Sequence, residues 1–182
     1  DEEWQVVKAY YYALVTHIDD QVGRILNALN EEGLSEDTIV IFTSDHGEHL
    51  GDHGLIQKGA PGLDSCAHVP LLVSYPAKIS VGRRFPQTIE AVDIVPTILD
   101  YCGIQVPPIM QGRSFRPLLE GRSYEERTSA FIEHRYPFGA SWKTVRTPEF
   151  KYCVCNKDAY ASFILSCIVH EVLRPCAISR YP

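Results

Sequence analysis

An α/β fold with a small antiparallel sheet attached is the class this sequence predicts, and three features predict it. A helix-period apolar stripe lies near the start. Two short runs, TIVIFT and VPLLVSY, are apolar and rich in β-branched residues, as strands covered on both faces are. Beyond about Pro107 the texture changes to short strand-like segments. The boundary this implies places residues 1–106 in the α/β part and residues 107–182 in a smaller carboxy-terminal subdomain.

From Tyr11 to Leu29, residues Leu14, Val15, Ile18, Val22, Ile25, Leu26 and Leu29 recur at three- and four-residue steps. That spacing predicts an amphipathic helix with Asp19, Asp20, Gln21 and Arg24 toward water. Gly33 stands where such a helix ends. Thr38 to Thr43 is the first strand, read as part of a parallel sheet with helices on either side. The segment leaving it, SDHGEHLGDHGLIQKGAPGLDS, is too long and too polar for a simple connection. Loops of that kind inside a compact domain usually carry function. Val69 to Tyr75 is the second strand, closed by Pro76. Thr88 to Tyr101 is a second helix with Ile89, Val92, Val95, Ile98 and Leu99 as its core side. Pro96 inside it predicts a kink, or a start near Asp93. SAFIEH, and the stretch from KTVRT to KYCVC, read as strands of the small sheet. Ser162 to Leu173 reads as an apolar helix or strand.

At 182 residues, 45% hydrophobic and 22% charged, the chain fits one soluble domain, or one with a small appendage. A net charge of −6 argues against a general nucleic-acid binder, although a cleft can still be locally positive. No apolar run reaches the roughly 18 residues of a membrane-spanning helix. The opening, DEEWQVVKAYYYALV, is acidic where a signal peptide is basic, so no signal peptide is read there and the compartment stays unassigned. Cysteines stand at Cys66, Cys102, Cys153, Cys155, Cys167 and Cys176, and free thiols are expected.

Chemistry concentrates in the glycine-rich loop. Asp45 offers hard oxygen suited to calcium or magnesium, and His46 beside it suits a ligand, a proton donor or an anion partner. The plainer reading is two polar residues opening a loop. His49 and His53 are four residues apart, but Gly51 between them disfavours the helix a shared transition-metal site requires. Lys58 is either a solvated charge or a cation returning to the cleft to neutralise an oxyanion.

The stretch FTSDHGEHLGDHGLIQKG, followed by HVPLLVSYP, resembles the second signature region of type I sulfatases. YYALVTHIDDQVGRILNAL, EAVDIVPTILDYCGI and GRSFRPLLEG match their places in that family, so the likeness runs over roughly residues 9–152 in collinear blocks. The resemblance implies a partial alkaline-phosphatase-like fold, a mixed or parallel sheet sandwiched by helices. It implies sulfate-ester hydrolysis, on a small molecule or a sulfated glycan, with one calcium ion. By that resemblance Asp45 and His46 are metal residues and Lys58 contacts sulfate. His53 and His68 are supporting groups or substrate contacts.

Such enzymes carry a formylglycine nucleophile made from Cys or Ser in a C-x-P-x-R setting within their amino-terminal half, and that motif is not recognisable here. Cys66 is followed by AHVP, and Cys176 opens CAISR, with Ile178 where Pro or Ala belongs. The isolated chain is therefore expected to show little or no turnover. A phosphodiesterase or phosphonate hydrolase of the same superfamily, and a non-catalytic remnant or binding module, are the alternatives.

Overall fold

The computed structural model describes residues 2–59, 62–135 and 141–155. The chain forms two compact units, one of Asp1–Gly59 with Asp64–Arg84, the other of Ala60–Leu63 with Phe85–Pro182.

In the first unit, helix α1 spans Glu2–Glu31 and so begins well before the periodic run. Glu2 and Glu3 in its first turn suit the positive end of the helix dipole. The helix stops as predicted, at Gly33, whose φ of 67° suits a residue without Cβ. Leu34 N–H reaches back to the Leu29 carbonyl at 2.9 Å and Gly33 N–H to Asn30 at 3.1 Å, which satisfies two otherwise orphaned acceptors. The apolar stripe departs from expectation. No residue of α1 is buried, and Ile18 and Ile25 are 55% and 64% exposed. Amphipathic spacing predicts a face that needs a partner, and no described element supplies one.

Strands β1 (Val40–Thr43) and β2 (Leu71–Ser74) pair antiparallel, not parallel as the apolar runs predict. Apolarity reports how far a strand is covered; it carries no information about the direction of its neighbour. Both strands are also more exposed than expected, Phe42 and Leu72 being open to solvent. The antiparallel register places the site. Thr43 pairs with Leu71, so the polar loop leaves and rejoins the sheet at the same end. Within that loop lie a 3-10 turn, Asp52–Gly54, and the short helix α2, Asp64–Ala67.

In the second unit a 3-10 turn, Ala91–Asp93, leads into helix α3, Ile94–Tyr101. The start near Asp93 agrees with the position of Pro96, which falls in the first turn of α3, where its missing N–H leaves no helical bond unmade. The buried residues of α3 differ from those expected: Pro96 and Thr97 are covered, as is Asp93 just before it, while Val92 and Val95 are about half exposed. Asp93 explains the difference. Its carboxylate accepts from Arg127 Nε at 3.1 Å, from Arg127 Nη2 at 2.5 Å and from the amide of Arg113 at 2.8 Å. Thr97 Oγ1 donates to the Asp93 carbonyl and accepts from the Phe115 amide at 3.0 Å. A fully partnered polar cluster thus occupies the covered side. Helix α4, Arg116–Leu119, buries Leu119, next to the fully covered Phe115. Strands β3 (Ala130–His134), β4 (Trp142–Arg146) and β5 (Lys151–Cys155) form the predicted antiparallel sheet in the order β3-β4-β5. Cys66 and Cys102 are unbridged. Ser162 to Leu173, Cys167 and Cys176 lie outside the described residues.

Candidate active site

The loop after β1 folds back on itself and brings three side chains together. Asp45, just beyond the strand, accepts the amide N–H of His46 on Oδ1 at 2.9 Å, which orients a carboxylate whose side chain is 86% exposed. His46 Nδ1 lies 2.8 Å from the Gly47 carbonyl, and Lys58 Nζ lies 2.7 Å from His46 Nε2. An ammonium only donates, so Nε2 must accept and Nδ1 must carry the proton. The two contacts agree on one neutral tautomer. Asp45 Oδ2, 3.6 Å from Nε2, is then a neighbour rather than a hydrogen-bond partner.

Gly47 has a specific reason to be glycine. Its N–H donates to the Cys66 carbonyl at 2.8 Å, and a Cβ there would fall on the backbone carbonyl of Ser65. The close approach of α2 therefore anchors the peptide that holds the His46 ring. Two residues on, His49 is only 3% exposed, with Nδ1 2.8 Å from Ser65 Oγ and Nε2 3.4 Å from Cys66 Sγ. Burial pushes its pKa below the ordinary value, against the opposing pull of Glu48 and Asp52. This histidine packs the loop. Burial also raises the Cys66 thiol, with Glu48 adding to it, which makes that thiol a poor nucleophile at neutral pH.

His53 sits at the exposed loop tip with φ of 55°, and His68 is exposed at the end of α2, its amide bonded to the Asp64 carbonyl at 2.9 Å. The direct contact is made by Asp45, His46 and Lys58. Glu48 and Ser65 escaped the sequence reading, and His49 entered it only as a disfavoured partner of His53 in a transition-metal site. An acid in the middle of a histidine-rich loop was the available signal for Glu48, whereas the His49–Ser65 bond joins residues 16 apart and leaves no local trace.

Among the described residues no three His, Cys, Asp or Glu side chains gather as a metal cage. Asp45 presents one outward carboxylate that fits part of a cation's shell, while His46 Nε2 beside it is engaged by Lys58.

The family model for sulfatases matches residues 1–104. The chain belongs to the sulfatase family. An arylsulfatase of Clostridium perfringens is 39% identical over 86% of this chain, which spans only 31% of that protein. The solved phosphonate monoester hydrolase of Agrobacterium radiobacter superposes with a TM-score of 0.75 at 31% identity, over 87% of this chain and 36% of that one. A protein solved in complex with its substrate D-glucosamine-2-N,6-O-disulfate gives a TM-score of 0.67 at 33% identity, over 76% and 29% of the two chains. These neighbours carry the mixed α/β, alkaline-phosphatase-like architecture in which small antiparallel sheets are at home. Sulfatases as a family rely on a metal ion and a formylglycine. No described helix is long and apolar enough to cross a membrane.

Proposed function

We propose that this chain supplies the metal-binding and sulfate-contacting share of a sulfate-ester hydrolase site, completed by a formylglycine from elsewhere in the whole enzyme. The observation that carries the reading is the approach of Lys58 Nζ to within 2.7 Å of His46 Nε2, next to the exposed Asp45 carboxylate. Asp45 and His46 are the ligands offered to calcium. A bound cation would supply Lewis-acid polarisation and activate the nucleophile. Lys58 places a mobile ammonium beside that position, where it binds a sulfate oxygen and offsets charge gathering on the departing ester oxygen. The Gly47 carbonyl holds the His46 tautomer, and the Nε2 lone pair, which accepts from Lys58 in this geometry, turns to the cation once Lys58 swings to sulfate. His53 and His68 flank the loop as supporting groups or contacts to the alcohol portion. A sulfated small molecule or glycan is the substrate class, and the disulfated glucosamine held by one structural neighbour supports it.

In the full-length enzyme, Lys58→Ala is expected to lower kcat/KM for a sulfate ester by about 10²–10³-fold, as loss of an oxyanion partner does. Asp45→Asn is expected to weaken calcium binding measured by titration calorimetry. Normal kinetics and normal metal content in both variants would reject the assignment.

A phosphonate or phosphodiester hydrolase is the second reading, favoured by the Agrobacterium radiobacter neighbour. Sulfate and phosphonate esters of one chromogenic alcohol, assayed with calcium, zinc or manganese, separate the two. A non-catalytic role is the third, and turnover of either ester by the full-length protein argues against it.

A further inference from the structure

We infer that Glu48 is a positioning residue for Lys58, its carboxylate tying the two limbs of the loop together so that the ammonium is delivered to His46. Only the role given to Lys58 on arrival rests on the function proposed above.

Lys58 is exposed and its side chain has four torsions to order, so its position depends on the backbone that carries it. That backbone is unusual. Leu50, His53 and Gln57 all hold positive φ, at 49°, 55° and 67°, a conformation side chains with Cβ avoid. Such residues persist where their surroundings over-determine them. Two of the three, Leu50 and Gln57, donate their amides to the same oxygen, Oε1 of Glu48, Leu50 at 3.3 Å and Gln57 closer still. The acceptor is half-buried, and one side-chain oxygen meets both amides. Gln57 immediately precedes Lys58, and its own carbonyl accepts the His49 amide at 3.0 Å. His49 is in turn held by Ser65. Glu48 thus closes a pinch whose far limb ends one residue before the ammonium.

A residue that merely stabilises the loop would lower activity independently of Lys58. A residue acting through Lys58 would not, and a double-mutant cycle reads the difference. On this chain, Glu48→Ala should speed amide hydrogen exchange at Gln57 by about tenfold or more, since each lost order of magnitude in protection corresponds to one modest hydrogen bond. Glu48→Gln, which keeps an oxygen acceptor at the same reach, should retain most of the protection. In the full-length enzyme, Glu48→Ala should lower kcat for a sulfate ester by about tenfold with KM little changed, and Glu48→Gln should rescue it. Glu48→Ala combined with Lys58→Ala should be no slower than Lys58→Ala alone. Should the alanine variant not fold, Glu48→Asp, one methylene too short to reach both amides, carries the same expectations. Unchanged exchange at Gln57, or losses that multiply in the double variant, would overturn the inference. An inert Lys58→Ala would instead sink the sulfatase reading, and the exchange measurement would still judge the clamp.

Discussion

His49 sets an acid limit on the loop. Its ring is held between Ser65 Oγ and Cys66 Sγ, and burial keeps its pKa below the ordinary 6.5. The folded chain therefore binds fewer protons here than the unfolded chain does. Its contribution to stability is whole above about pH 6.5, is lost as pH falls through that value, and levels off below the depressed folded pKa. His49→Gln should accordingly flatten the fall in urea midpoint between about pH 6.5 and 5. Equally steep profiles for both proteins would show that another group carries the effect. Asp45, His46 and Lys58 stand out in the sequence by their side-chain chemistry, and the loop brings them close together. Glu48 and the role of His49 do not, because they bind Gln57 and Ser65 across the loop.

Among the elements, α3 depends most on a single polar side chain. Asp93 is fully buried, receives Arg127 on both oxygens, and shares a reciprocal capping box with Glu90, whose carboxylate also accepts the Phe131 amide. Arg127 closes the cluster through Glu90 at 2.9 Å. Removing Asp93 leaves the Arg127 guanidinium without its most deeply buried partner. Asp93→Ala should lower the unfolding free energy by about 3–5 kcal/mol, read by chemical denaturation. A loss below about 1 kcal/mol would mean that the cluster is relieved by water. Helix periodicity placed α1 and α3, and Gly33 and Pro96 placed their ends or starts, because these are local rules of backbone geometry. Strand direction and the covered residues of α3 followed instead from partners tens of residues away, such as Arg127 for Asp93.

For the whole molecule, the open face of α1 is the largest departure from expectation. Ile18 and Ile25 lie seven residues apart on one helix face, and both are more than half exposed. The chain spans 31% of the length of the Clostridium perfringens arylsulfatase it matches. Ile18→Lys with Ile25→Lys should leave the unfolding free energy of this chain unchanged within about 0.5 kcal/mol. A loss of about 2 kcal/mol or more would show that the face is packed after all.

Local periodicity and chemically constrained motifs were enough to place the two long helices, the five strand segments, the family and the three residues that meet at the loop, but not the short helices α2 and α4. The antiparallel pairing of β1 with β2, the covering of Asp93 and Thr97 rather than Val92 and Val95, and the hold of Glu48 on the strained limbs beside Lys58 came from the folded chain. The physical reason is common to all three. Pairing direction, burial and loop closure are settled by contacts between residues far apart in the chain, and a local pattern does not encode them.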